Sequence, residues 1–421
     1  MSDQPGELAQ RILQACQRGE SPPVAPFQQL LDQACSEEIS IAGPASVALF
    51  RNLVEPLSDA FEPAYCDTYA ALFCQAISYA LGGFQEADLL DRYARIRGLR
   101  RFGGDPGRIE DVLVLSRVTL GADVAVTSVM LDAAKRRFPK ARIHFVGSLK
   151  AYELFAGDER IGHVRLPYTR GGTLKQRLEA GLLLGETLRR MGGIVIDPDS
   201  RLTQLGLLPV CEEEKYFFFE SRSYGGSTRE PIGRLAQRWV AQIFDVADAR
   251  SFIAPGCAPL HPGNDWVCVS LGVGENPAKR IPDPFEEELL RLLLDQGANV
   301  LIDQGEGGEE SERVQRAIRR LGAPSSRVKT CLGAFAPFAA SIAGGRLYAG
   351  YDSSGQHVAA ASGVPLLTVF AGFVTPRMFD RWHPFGPGPM EVIRVENPDP
   401  RLVLEQTAEA IGRLSRASSP S

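Results

Sequence analysis

Three predicted loops in the C-terminal half of the sequence carry side chains suited to binding a charged ligand. The first loop contains Gly272, Gly274, Glu275, Asn276, Lys279 and Arg280. The second extends from Gly305 to Glu310, and the third from Asp352 to His357. Each loop follows a predicted strand, so all three should open at one edge of a parallel sheet. Two fixed cations beside glycines that allow close backbone approach predict a diphosphate site that needs no metal.

The third loop gives the clearest indication of an anion site. Residues 347–371, LYAGYDSSGQHVAAASGVPLLTVFA, predict a strand, a polar turn, a helix of small residues and a second strand. The first N–H groups of that helix lack intrahelical partners and lie at the positive end of its dipole, so they favour an anion. The alternative is an ordinary strand-to-helix turn capped by its own serines. The predicted binding residues are Gly274, Asp352, Ser353, Ser354, Gly355 and His357.

Carboxylates in two loops are placed to act on hydroxyl groups. In the second loop, Glu309 or Glu310 is predicted to accept hydrogen bonds from ribose hydroxyls. In the N-terminal half, Asp123 follows the first predicted strand, where a carboxylate could take a proton from an acceptor hydroxyl. The alternative for Asp123 is a helix N-cap or a residue of the first helical turn, stabilised there by the helix dipole.

A further pair of carboxylates, Asp197 and Asp199, flanks Pro198. Hard cations prefer carboxylate oxygens, so the pair is a possible metal motif. The proline favours a simple turn after the preceding strand, however, and we predict neither a metal nor another cofactor.

The elements that position these residues form two α/β halves behind a helical start. Apolar residues recur at helical spacing over residues 1–105, which predicts a helical accessory domain of unassigned role. Strands then alternate with helices in two Rossmann-like domains, 108–252 and 266–396, joined by a Pro- and Gly-rich linker at 253–265. A cleft should lie between these domains. Residues 397–416 predict a final amphipathic helix that packs back on the first half.

Composition excludes some classes of protein. The formal net charge of −5 argues against a nucleic-acid binder, whose surface would be basic. The eight cysteines show no metal-finger spacing and are typical of a reducing compartment. Neither a signal-peptide pattern nor a long apolar run occurs, so we predict a cytoplasmic protein with at most peripheral contact at the inner face of the membrane.

Three stretches together resemble a known family. They are Thr119–Thr127 with Asp123, the run Lys279-Arg280-Ile281-Pro282, and Asp352–His357 followed by Val-Ala-Ala-Ala and Gly-Val-Pro. This set is similar to the heptosyltransferases of bacterial lipopolysaccharide biosynthesis, glycosyltransferase family nine, over roughly residues 111–415.

The resemblance implies a GT-B architecture and an inverting, metal-independent hexosyl or heptosyl transfer. The second half would hold a nucleotide sugar, typically ADP-heptose, and the first half the acceptor. Asp123 would be the catalytic base, Lys279 would neutralise the departing diphosphate, and the loop Asp352–His357 would line the nucleotide site.

The sequence is also compatible with other functions, among them an epimerase with a GT-B-like fold. The donor could carry uridine or guanosine in place of adenosine, and the acceptor could be a glycan, a lipid-linked saccharide or a protein. The chain could also be a non-catalytic module that binds nucleotide sugars. The predicted fold class is α/β with GT-B architecture, two Rossmann-like domains with a cleft between them, plus an N-terminal helical domain.

Overall fold

The chain begins with a run of helices. The computed structural model describes residues 4–166, 172–261, 263, 265–274, 276–322, 324 and 326–417. We call residues 4–96 the helical segment. Its α-helices are α1 (Pro5–Gln17), α2 (Val24–Ala34), α3 (Ile39–Val47), α4 (Glu55–Asp59), α5 (Pro63–Leu81) and α6 (Glu86–Ile96). A π-helical stretch, Ala48–Val54, joins α3 to α4 without a break in the helical backbone.

A five-stranded parallel sheet follows, with strand order β3-β2-β1-β4-β5. The strands are β1 (Asp111–Leu115), β2 (Arg142–Gly147), β3 (Ile161–Arg165), β4 (Ile194–Asp197) and β5 (Tyr216–Phe218). The helices of this first domain are α7 (Leu120–Ala122), α8 (Ser128–Arg137), α9 (Leu149–Tyr152), α10 (Leu174–Met191) and α11 (Ile232–Phe244). The β1–β2 register pairs Val112 with Ile143. Both strands are mainly apolar, as expected for a sheet covered on two faces.

The second domain has a six-stranded parallel sheet of order β11-β10-β9-β6-β7-β8. Its strands are β6 (Trp266–Ser270), β7 (Asn299–Asp303), β8 (Val328–Cys331), β9 (Leu347–Tyr351), β10 (Leu366–Phe370) and β11 (Met390–Arg394). Its helices are α12 (Phe285–Asp295), α13 (Gly308–Leu321), α14 (Phe335–Ala343), α15 (Ser354–Ser362), α16 (Pro376–Trp382) and α17 (Pro400–Ala417). The predicted linker, 253–265, contains no helix or strand among its described residues.

The helical segment covers one face of the first sheet. Alternate residues of β1 point to opposite faces, as the strand period of two requires. Val112 and Val114 pack with α8 and α11, whereas Leu113 and Leu115 join a core that includes the helical segment and α10. Because this second core is continuous, the helical segment is a structural layer of the first half of the molecule.

The final helix packs on the second domain. Val403, Ala410 and Ile411 of α17 are buried in the core of that domain. Arg413 of the same helix donates a 2.8 Å hydrogen bond to Glu391 in β11. The prediction that this helix packs back on the first half is therefore wrong. Its apolar face complements α12 and β11, and sequence periodicity shows that a helix is amphipathic but not which surface it covers.

The two domains touch through α15. This helix packs against α7 and the adjoining π-helical turn Asp123–Thr127 of the first domain. Across the described part of the chain, no helix is both long enough and apolar enough to cross a bilayer.

Candidate functional site

A cleft of about 1000 Å³ lies where the carboxyl ends of the two sheets meet. Loops after β6, β7 and β9 form one wall, as the sequence predicts. Six of the predicted site residues line it: Gly274, Lys279, Glu310, Asp352, Ser353 and Ser354. Ligands of open α/β sheets bind at such strand ends, so this cleft is the candidate site.

The N-terminus of α15 opens on the cleft without a side-chain cap. Ser353 occupies the N-cap position, but its side chain accepts no hydrogen bond from the first turn. The Ser353 hydroxyl instead lies 3.0 Å from the Tyr348 hydroxyl. The leading N–H groups and the positive end of the helix dipole are thus left to favour an anion. The alternative of a helix capped by its own serines does not hold for Ser353.

Lys279 is fixed beside this helix terminus. Its ammonium group lies 2.7 Å from Asp352 Oδ2 and donates a second hydrogen bond, of 3.1 Å, to the Asp352 carbonyl oxygen. The Lys279 side chain is largely buried. The ion pair holds the ammonium beside Asp352, the residue that precedes the N-cap of α15, and so next to the positive end of the helix dipole.

Arg280, the second predicted cation, is directed elsewhere. Its guanidinium pairs with Glu286 and Asp283, and it does not line the cleft. The prediction of two fixed cations at the site is therefore wrong for Arg280. Glu275 lies outside the described residues.

Two residues of the predicted third loop lie behind the cleft wall. A Cβ atom on Gly355 would lie 2.6 Å from Cζ of Tyr348, so this glycine is required by packing. His357 is buried beneath the loop and contacts the edge of Trp382. Burial lowers the pKa of His357 to about 4, so the imidazole is neutral near pH 7. Neither side chain lines the cleft, and a direct binding role for Gly355 and His357 stays a prediction.

We expect Gly355→Ala to destabilise the protein by about 1–3 kcal/mol, because the added methyl overpacks against the buried Tyr348. Thermal unfolding of the full chain measures this change. Gly43→Ala is the matched control, since a Cβ there meets nothing within 4 Å. Equal unfolding temperatures for the two variants would contradict the packing role.

The two glutamates of the second loop differ in position. Glu310 lines the cleft, whereas Glu309 is exposed on α13 and does not. Cβ atoms at Gly272 and Gly305 would come within 2.6 and 2.8 Å of the Glu310 carboxylate, so both glycines make room for it. Burial, and next the charge of Asp303, raise the pKa of Glu310. Of the two candidates, only Glu310 is placed to accept hydroxyl hydrogen bonds in the cleft.

Asp123 is fully buried at the contact between the domains, with an exposed fraction of 0%. Its carboxylate accepts three hydrogen bonds of 2.7 Å, from the Ser116 hydroxyl, the Arg117 backbone N–H and the Thr127 hydroxyl. Burial raises its pKa to about 6. The neighbouring Gly121 packs against α15, where a Cβ atom would lie 3.1 Å from Cδ2 of His357. Asp123 therefore lies under the closed domain contact, and Thr119 of the same loop lines the cleft.

The paired carboxylates of the possible metal motif are each occupied by protein groups. Asp197 accepts hydrogen bonds from the Ser200 backbone N–H, Thr203 and Tyr216. Asp199 accepts one from Ser221 and pairs with Arg222. These interactions agree with the structural interpretation of the motif.

Sequence reasoning missed several cleft residues. Asp303 ends β7, and its position at a strand end could have identified it. Lys150 of the first domain pairs with Glu306 of the second across the cleft. Arg51, Glu55 and Asp59 of the helical segment also line the cleft, and no motif marks them.

Searches for related proteins support the architecture. No family model matches the chain, and no curated protein matches it in sequence. A glycosyltransferase family 9 structure from Veillonella parvula is similar, at 15% identity and a TM-score of 0.56, over 75% of this chain and 99% of that one. The E. coli heptosyltransferase WaaC with ADP is similar at 15% identity and a TM-score of 0.52, over 73% of this chain and 100% of that one.

At such identities the likeness establishes the fold. The chain has two parallel sheets flanked by helices, in the GT-B arrangement of these structures. The predicted α/β fold class is confirmed.

Proposed function

We propose that this protein is a glycosyltransferase that moves a sugar from a nucleoside diphosphate to a hydroxyl group. One observation carries the proposal: the uncapped N-terminus of α15 and the ammonium of Lys279 meet on the wall of the cleft. A diphosphate leaving group fits this place because both features stabilise negative charge. The fold agrees with such a function but does not determine it.

The finer proposal is that the donor is an ADP-linked heptose. The similar WaaC structure holds ADP, and another structure of it, at 14% identity and a TM-score of 0.51, holds ADP-2-deoxy-2-fluoro heptose. In this chain the Glu310 carboxylate, next to the glycines of two loops, would accept hydrogen bonds from the ribose hydroxyls. The predicted cytoplasmic or peripheral membrane location belongs to the same proposal.

The proposed reaction is a single displacement with inversion. The acceptor oxygen attacks the anomeric carbon from the side opposite the diphosphate, the bond from that carbon to the diphosphate oxygen breaks, and the acceptor proton passes to a base. Lys279 and the N-terminus of α15 stabilise the negative charge of the departing diphosphate. In the proposed step they take the role that a metal ion plays in other transferases.

Asp123 is the proposed base. Its raised pKa of about 6 suits proton transfer near neutral pH. Because the carboxylate is covered, the acceptor reaches it only when the contact between Gly121 and His357 opens.

Titration of the full chain with ADP, UDP and GDP, followed by mass spectrometry of the products from a panel of nucleotide sugars, tests the proposal. We expect ADP to bind most tightly and an ADP-sugar to be consumed with an acceptor. Preference for UDP or GDP would reject the adenosine assignment and retain a transferase. Binding without turnover of any donor would identify a non-catalytic nucleotide-sugar module, and absence of nucleotide binding would reject the function altogether.

A further inference from the structure

The wall of the cleft that faces the nucleotide loops is built mainly by the helical segment. We propose that this segment, whose role the sequence leaves unassigned, holds the acceptor, and that the acceptor is a neutral, hydroxyl-rich saccharide. The inference rests on the proposed transferase function, because it concerns the second substrate of the same cleft.

The carboxyl end of the first sheet is closed to a ligand by its own side chains. Arg117 donates a 2.9 Å hydrogen bond to Ser221, and Ser221 donates one of 2.7 Å to Asp199. Arg222 pairs with the same aspartate at 2.6 Å. All four residues are buried. Among the described residues of this domain, only Thr119 and Lys150 reach the cleft.

The helical segment takes the place of that sheet edge. Leu13 and Gln17 of α1 line the cleft together with Arg51, Glu55, Pro56 and Asp59. The three charged residues of the second group are four positions apart along one continuous helical run, so they share a face. That face is turned towards the wall that carries Lys279 and the N-terminus of α15.

Two arginines of the first domain hold the two carboxylates on this face in place. Arg201 lies 2.9 Å from Glu55 and 3.3 Å from Asp59, and Arg222 lies 3.3 Å from Asp59. Burial raises the pKa of Asp59, but the two guanidinium groups outweigh it and bring the pKa below its usual value. The side chains of Glu55 and Asp59 remain 30% and 41% exposed. They are fixed, charged hydrogen-bond acceptors, a geometry that suits sugar hydroxyls and costs little ordering on binding.

The charge of the cleft distinguishes between acceptor classes. Six carboxylates and three cations line it among the described residues. Lys279 and Lys150 are already paired with Asp352 and Glu306. Arg51 is exposed and has no ion-pair partner in the described chain, so it can donate to a hydroxyl or ring oxygen. The hydroxyl groups of a neutral polyol can donate hydrogen bonds to the Glu55 and Asp59 carboxylates of this wall, whereas an ionised phosphate group has no such donors to offer them.

A glycan array tests the inference without requiring turnover. Labelled full-length protein, with and without ADP, is applied to neutral and phosphorylated oligosaccharides. We expect binding to neutral glycans, and a loss of about tenfold or more for Glu55→Gln and for Arg51→Ala. Glu37→Gln, at an exposed position of the helical segment outside the cleft, is the matched control and should bind as the wild type does.

ADP titration of the same variants separates this inference from the proposed function. Unchanged ADP affinity with lost glycan binding supports the acceptor wall. Glycan binding that depends on Glu55 and Arg51 in a protein with no affinity for nucleotides would retain the wall and reject the transferase. Absence of glycan binding, preference for phosphorylated glycans, or wild-type binding by both variants would overturn the inference. Arg51 has no ion-pair partner among the residues that the structure describes, so its substitution should not disturb the fold.

Discussion

Asp123→Asn is expected to lower the rate of sugar transfer by about 10²–10⁴-fold, the usual contribution of a general base. The substitution keeps the size of the buried side chain and removes its ability to take a proton. ADP affinity should stay within about twofold, because Asp123 belongs to the first domain and does not line the cleft. Steady-state kinetics with the donor identified by the product screen, together with ADP titration, measure both quantities.

The pH dependence of the wild type gives a second measurement of the same residue. Burial raises the pKa of Asp123 to about 6, and a carboxyl group in the proposed role of base acts only when deprotonated. We therefore expect kcat/KM to rise as the pH increases through about 6 and to level off above about 7. This rise should disappear from the residual activity of Asp123→Asn.

Asp197→Asn is a matched control for these experiments. Asp197 is also fully buried, also accepts hydrogen bonds from three groups, and also has a pKa raised by burial to about 6. Asp197 does not line the cleft, and it does not lie in the loop whose Gly121 packs against α15. If both variants lost activity equally, the effect of Asp123→Asn would reflect a disturbed fold, and the base assignment would fail.

The raised pKa values of Asp123 and Asp197 also make the free energy of unfolding depend on pH in a direction that can be stated. A carboxyl group whose folded-state pKa lies above its unfolded value binds protons more tightly in the folded state. Its contribution to stability is therefore present at low pH and is lost as the pH rises from about 4 to about 6. Asparagine does not titrate, so neither variant loses stability in this way as the pH rises. A lower unfolding temperature of either variant at pH 7 would therefore have to come from the altered hydrogen bonds.

Local sequence signals predicted the parts of this molecule that depend on short segments. The strand DVLVL and the turn Asp352-Ser353-Ser354 are recognisable because apolar runs and glycine or serine turns act over a few residues. The sheets, the alternation of strands and helices, and the meeting of three loops at one sheet edge followed from these signals. The positions of Lys279 and Ser354 on the cleft are consequences of that topology.

The directions of individual side chains could not be predicted from the sequence, because they depend on packing between segments that are far apart in the chain. Glu309 and Glu310 are neighbours in the sequence, and only the rotation of α13 decides which one faces the cleft. Arg280 is drawn away by Glu286, and the direction of a side chain depends on such partners. Asp59 reaches the cleft because Arg201 and Arg222 hold it there, across more than a hundred residues of chain. No local pattern encodes contacts of this kind.

Lys279→Ala is expected to lower kcat by about 10²–10³-fold and to weaken ADP binding by about tenfold or more. Two effects add. First, the departing diphosphate loses the ammonium that would stabilise its charge. Second, the Asp352 carboxylate loses its ion-pair partner, Lys279 Nζ at 2.7 Å, and stands next to the N-terminus of α15 without a cation beside it. An unpaired carboxylate repels the phosphates that the helix terminus attracts.

The double variant Lys279→Ala/Asp352→Asn separates these two effects. Removing the unpaired charge should restore part of the ADP affinity, but kcat should stay low because no cation stabilises the leaving group. Lys329→Ala is the matched control, since Lys329 is an exposed lysine of the same domain outside the cleft. Full activity of Lys279→Ala would show that the charge of α15 alone supports departure of the diphosphate. Full recovery of kcat in the double variant would show that Lys279 only neutralises Asp352 and does not act on the leaving group.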